Sequence, residues 1–233
     1  MNMAELFLST TNLAAYGRER GLSKTEIAAD PAYVVHCWLA EALGPSALRP
    51  FTAIDARSRI RVLGYSDETA TGLTERLTLN ASPSVAHVLT DPIRSKAMPR
   101  LFKCGDNFDF EVRLQPTRKG PGKSEKDAFL LACSRVGTDV TVNRAQVYHE
   151  YLAERLEASA SLMASEIVSF TLAPVARKQV TEGRRRTRLL QVPQALIRGQ
   201  LVVKEPSSFV QTLRNGVGRG RGMGFGMLLL RRP

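Results

Sequence analysis

The sequence has few cysteines, no long apolar run and, in its last quarter, almost no acid. Cys37, Cys104 and Cys133 are odd in number and far apart. That excludes a disulfide framework and a zinc knuckle, and it suits a reducing cytoplasm. No apolar run approaches the length of a membrane span. The opening "MNMAELFLSTTNLAAYGRERG" lacks a basic stretch followed by an apolar one, so no secretory leader is expected. No cluster of Asp, Glu and His has metal-ligand spacing, and neither a metal nor a cofactor is expected. Asp109 and Glu111 in "DNFDFE" do share one face of an alternating strand. Two-metal nucleases gather carboxylates, but a single pair opposite phenylalanines reads as the wet face of a sheet.

The charge that is present is unevenly placed. From Pro174 to Pro233, thirteen Lys/Arg stand against two acids, Glu182 and Glu205. The rest of the chain is balanced, so the whole formal net charge of +11 lies in the last quarter. Such asymmetry points to a polyanionic partner, nucleic acid before an anionic membrane, with a solvated basic face as the plain alternative.

The 233 residues suit one large domain or two small ones. "AELFLS" reads as a first strand. "DPAYVVHCWLAEALGP" carries a full set of helix signals: Asp30 to cap, Pro31 in the first turn, Gly44 and Pro45 to stop. "SRIRVLGY" alternates as a strand, "ETATGLTERL" suits a short helix, and "NFDFEVRLQPTRK" alternates again, with Phe108, Phe110, Val112 and Leu114 on one side. "KGPGKSEK" looks like a linker or hairpin. In the second half "AFLLACS" reads as a strand and "NRAQVYHEYLAERLEAS" as a helix. "SEIVSFTLAPV", "RRRTRLLQV" and "QALIRGQLVV" read as three strands, "EPSSFVQTLRNG" as a capped helix and "GFGMLLLR" as a last strand. Each half has the order of a ferredoxin-like unit, so an α+β fold of two tandem ferredoxin-like domains, 1–120 and 121–233, is expected. Residues 10–30 have no place in that scheme.

The stretch "NGVGRGRGMGFGMLLL" puts glycine at every second position from Gly216 to Gly226. Backbone N–H groups in such a loop can approach an anion closely. The stretch is no P-loop, for it has no Gly-Lys-Ser/Thr opening a helix, and no dinucleotide fingerprint, for it follows a helix and leads into a final strand. Tight backbone packing is the structural alternative. A short helix, an alternating glycine loop with arginines and a final strand together resemble the C-terminal signature of the RAMP superfamily of CRISPR proteins. Gly216, Gly218, Met223, Gly224, Gly226 and Leu228 are similar to the CasE branch in particular, the endoribonucleases that mature CRISPR RNA in Cascade systems.

The CasE resemblance implies a catalytic histidine on the first helix, with a tyrosine three residues earlier. "YVVH" supplies Tyr33 and His36. At about 100° per residue, Val34, Val35, Trp38, Leu39, Ala42 and Leu43 form one apolar face, while Tyr33, Cys37 and Ala40 lie opposite, with His36 about 60° from Tyr33. His149 shares a helix face with Ala145, Leu152 and Leu156 and reads as a structural histidine. His87 is assigned no role. RNA carries its own nucleophile, the ribose 2′-OH. Cleavage needs one proton removed there and another supplied to the departing 5′ oxygen, and imidazole can do either. Tyr33, whose phenol titrates near ~10, suits hydrogen bonding to the 2′-OH or the phosphate better than proton abstraction. A cation would stabilise the reacting phosphate, but the sequence does not say which.

"RKQVTEGRRRTRLL" reads as a β-hairpin with a basic tip. Arginine forks match phosphate geometry, and Arg184, Arg185, Arg186 and Arg188 stand in its second strand or turn. The resemblance implies that such a hairpin grips the stem of the CRISPR repeat RNA, by shape and backbone more than by sequence. Arg219 and Arg221 in the glycine loop, and Arg113 in "FEVRLQPTRK", are further candidates for RNA contact. The expected partners are the repeat hairpin, its crRNA product and other Cascade subunits, in the cytoplasm and away from membranes. A catalytically inactive RNA-binding subunit of the same superfamily, or the processing ribonuclease of another subtype such as type IV, is the alternative.

Overall fold

The computed structural model describes residues 1–99, 101–120, 125–136, 141–181 and 184–232, with side chains described throughout except over 177–187. The chain forms two compact units. One comprises residues 1–100, 173–191 and 222–224, the other 101–172, 192–221 and 225–233.

The first unit opens with β1 (Asn2–Ser9), in which Ala4, Leu6 and Leu8 alternate inward and are fully buried. Residues 10–30, unplaced by sequence, form α1 (Thr10–Glu19) and α2 (Lys24–Ala29). Their start signals are local: the Ser9 side chain accepts from the Asn12 N–H, and Ser23 and Glu26 make a reciprocal capping box. Next come α3 (Pro31–Ala42), β2 (Phe51–Ala56), β3 (Arg59–Ser66), α4 (Ala70–Asn80), α5 (Pro83–Ala86) and β4 (Arg94–Ala97). The sheet order is β2-β3-β1-β4, with every neighbouring pair antiparallel. That is the ferredoxin-like arrangement. Helix α3 carries the centre of the core: Val34, Val35, Trp38 and Ala42 are wholly buried, and the Trp38 indole N–H donates to the Val85 carbonyl at 2.9 Å.

The second unit is built the same way. Its strands are β5 (Asn107–Leu114), β8 (Ala160–Thr181), β9 (Arg184–Val203) and β10 (Leu229–Arg231), in the order β10-β5-β9-β8, with β6 (Thr117–Lys119) and β7 (Glu125–Asp127) as a separate hairpin. Counted in chain order the four main strands repeat the first sheet's arrangement. The helices are α6 (Ala128–Cys133), α7 (Arg144–Leu156) and α8 (Pro206–Asn215).

Four readings of the sequence change. "AFLLACS" is helix α6, because the Asp127 side chain caps it by accepting from the Phe129 N–H; a short apolar run has no period of its own to separate helix from strand. "RRRTRLLQV" and "QALIRGQLVV" are one continuous strand, β9. The last strand is confined to Leu229–Arg231, because the glycine loop runs on past Gly226. The division into units departs from 1–120 and 121–233: β5 pairs with β9 and β10, burying Phe110, Val112 and Leu114 in the second sheet.

Candidate active site

The helix bearing Tyr33 and His36 is fixed at its start by one carboxylate. Asp30, 7% exposed, accepts from the Tyr33 N–H at 3.0 Å and from the Ala176 N–H at 2.9 Å. The first bond caps α3. The second holds the β8 segment of the same unit, where Val175 and Ala176 are buried. Gly44, at φ +97°, turns the chain just past the helix.

His36 is half-buried at the edge of a small pocket that also takes in Gly44, Leu48, Arg49, Phe51 and Gly222. The His36 ring meets the backbone of Gly222 there, and Met223 packs beside it on the core of the first unit. Burial pushes the His36 pKa below the ordinary histidine value, and the charge of Arg49 pushes it the same way; Asp30 and the Gly222 bond oppose them. That lowering favours the uncharged imidazole.

Tyr33 is not on an open face. It is 5% exposed, within the core cluster, its ring centroid 6.3 Å from that of His36. Its hydroxyl is paired with the Cys37 side chain one helical turn on, and burial holds its pKa well above the phenol range. The helix is covered on both sides, which an apolar stripe on one side alone did not foretell.

The glycine loop is chiefly a packing device. Five of its six glycines, all but Gly222, have positive φ. Gly216 ends α8, its N–H reaching the Thr212 carbonyl at 2.8 Å. Gly218 packs on Tyr151: a Cβ there would lie 3.3 Å from the phenol oxygen. Gly226 is the tightest, since a Cβ would stand 2.2 Å from the Val217 carbonyl oxygen. The Gly226 N–H donates to the Arg113 carbonyl at 2.8 Å, and its own carbonyl accepts from Val217 at 2.7 Å. Gly224 is buried at φ +80°.

A family described as CRISPR associated protein matches residues 6–232 of this sequence. The chain belongs to that family. It is 27% identical over 134 residues to the CRISPR-associated endoribonuclease Cse3 of Thermus thermophilus, an alignment covering 54% of this chain. The aligned part spans 56% of that relative, little more than half its length. Solved folds match throughout. A CRISPR endoribonuclease Cse3 bound to a 19 nt RNA superposes with a TM-score of 0.65 at 20% identity, covering 99% of this chain and 100% of that one. The CRISPR-associated protein Cas6e from Escherichia coli K-12 gives 0.57 at 15% identity, with both chains fully covered. Family, sequence and fold agree with the CasE-type resemblance read from the two motifs.

The remaining expected residues of this CRISPR-associated chain are dispersed. The side chains of Arg184, Arg185 and Arg186 lie outside the described residues; Arg188 is exposed on β9. Arg219 pairs with Glu125 at 3.0 Å, and Arg221 donates to the Asn215 carbonyl at 3.1 Å. Arg113 is half-buried, with its guanidinium over the Phe225 ring at 4.8 Å and donating to Gln194. His149 bonds Ser165 at 2.9 Å, as a structural histidine does. A groove of about 410 Å³ lies on the second sheet and includes Asp109 and Glu111. Their carboxylates are taken by Gln200 at 3.0 Å and Arg198 at 2.7 Å. Among the described residues, no three His, Cys, Asp or Glu side chains gather as metal ligands, and no helix is long and apolar enough to cross a membrane. Sequence reasoning missed Arg49 and Gly222 as members of the His36 pocket, and Asp30 as the tie to Ala176. Only the Asp-Pro helix start could have flagged one of the three.

Proposed function

We propose that this protein is a metal-independent endoribonuclease of CRISPR RNA maturation, working in the cytoplasm. It binds the repeat hairpin of precursor CRISPR RNA and cuts at its base. It then keeps the product as a subunit of a Cascade-type complex. One observation carries the reading. The two motifs matched at opposite ends of the sequence meet: His36 and Gly222 of the glycine loop line one small pocket, within one compact unit.

The uncharged His36 takes the proton of the ribose 2′-OH through a ring nitrogen. The 2′ oxygen then bonds to the adjacent phosphorus, the bond to the 5′ oxygen breaks, and that oxygen takes a proton from solvent. The products are a 2′,3′-cyclic phosphate and a 5′-OH. Tyr33, buried and bonded to Cys37, shapes the helix beneath His36; contact with the 2′-OH or phosphate would require it to leave that bond. Arg184, Arg185, Arg186 and Arg188 supply the hairpin's grip on the RNA stem, with Arg219, Arg221 and Arg113 as lesser contacts.

The relatives support this reading in their own right: Cse3 is named an endoribonuclease, one solved Cse3 is bound to RNA, and another matching chain belongs to a CRISPR RNA-guided surveillance complex. The test is cleavage of the host's own repeat hairpin in EDTA by wild type and His36→Ala, with binding measured on the same samples. Wild-type cutting with a rate at least 100-fold lower in the variant, both binding alike, is expected. Binding without cutting, with or without magnesium, would favour the inactive RNA-binding subunit, the reading that Tyr33's buried hydroxyl favours. Cutting restored only by magnesium would end metal independence.

A further inference from the structure

The proposed reaction still needs a cation for the scissile phosphate. We infer that Arg49 is the catalytic cation that binds the phosphate beside His36 and stabilises the charge it gains as the 2′ oxygen attacks. This deepens the preceding reading and rests on it.

Four observations converge. Arg49 lines the same pocket as His36 and Gly222. Its guanidinium carbon is 3.7 Å from where a Cβ on Gly222 would stand, so the group lies against the residue that meets the imidazole. Its side chain is exposed, and among the described residues it has no carboxylate partner. Arg76, beside Gly44 of that pocket, is occupied by Glu68. Its backbone is pinned, with the Arg49 N–H donating to the Tyr65 carbonyl at 3.1 Å and the Tyr65 N–H to the Pro50 carbonyl at 3.1 Å. A free guanidinium fork on a fixed stretch of backbone, beside an uncharged imidazole, is the arrangement a phosphate diester requires: a base for the hydroxyl and a pair of N–H donors for the non-bridging oxygens. The charge of Arg49 already disfavours protonation of His36, so the two groups sense each other without RNA. An arriving phosphate would satisfy the guanidinium and leave the imidazole free to accept.

The experiment uses the full chain and the repeat hairpin under single-turnover conditions. Arg49→Ala is expected to cut about 100-fold or more slowly than wild type while binding the hairpin within a few-fold. Millimolar guanidinium should restore part of the rate, and Arg49→Lys should retain part of it. A thermal midpoint like that of wild type shows the variant folded. In parallel, the imidazole signal of His36 is titrated by NMR without RNA; its pKa should rise in Arg49→Ala. Wild-type cutting rates in Arg49→Ala, or a fall in binding as large as the fall in rate, would overturn the assignment. Inactive wild type would overturn the nuclease reading and the assignment together, and the RNA-free titration would still report whether the two groups are coupled.

Discussion

At the scale of single residues, the base proposed in His36 has a kinetic signature. A general base works only when deprotonated, so kcat/KM should rise with pH through the His36 pKa and level off above it. Burial and Arg49 lower that pKa, while Asp30 and the Gly222 carbonyl raise it, with lowering dominant. The midpoint of the acid limb should therefore fall below about 6.5, the ordinary histidine value. A pH–rate profile checks it; a rate that instead falls as pH rises through that midpoint would assign His36 the acid's part. Asp30 matters in another way. Asp30→Ala removes the acceptor of two N–H groups, a helix cap and a buried tie to Ala176. A destabilisation of roughly 2–4 kcal/mol in urea unfolding is expected.

At the scale of elements, Gly226→Ala should be among the most damaging single-methyl changes. The new Cβ would meet the Val217 carbonyl and adopt positive φ besides, so a destabilisation of about 2 kcal/mol or more is expected, read as a lower urea midpoint. The elements also show what a sequence can reveal. Helix α3 was legible because Asp30, Pro31 and Gly44 act on neighbours within a turn. Strand β5 was legible because four inward residues alternate without a break. Helix α6 was not, since six apolar or small residues fit either period until Asp127 is seen to cap them. Ser9, Ser23 and Glu26 did signal α1 and α2, but the strand-helix-strand order of a ferredoxin-like half has no room for them. The site was half legible. The histidine showed through its motif, whereas Arg49, Gly222 and the Asp30–Ala176 bond join residues remote in sequence, and distant pairing leaves no local trace.

At the scale of the whole molecule, two sheets share one strand order and the net charge of +11 is supplied by the last quarter of the chain. If arginines of the β8–β9 hairpin touch phosphates, hairpin binding must weaken steeply with salt. Replacing Arg184, Arg185 and Arg186 together should flatten the plot of log affinity against log salt by about one unit for every phosphate these arginines neutralise. An unchanged slope would remove those residues from the interface. The Gly222 carbonyl beside His36 has a consequence of timing. A ribosome makes His36 before Gly222, and the β8 segment that Asp30 holds comes between them. The helix and its histidine can emerge while their last supports are still unmade. The proposed site is thus incomplete on a nascent chain until the glycine loop folds back onto the helix.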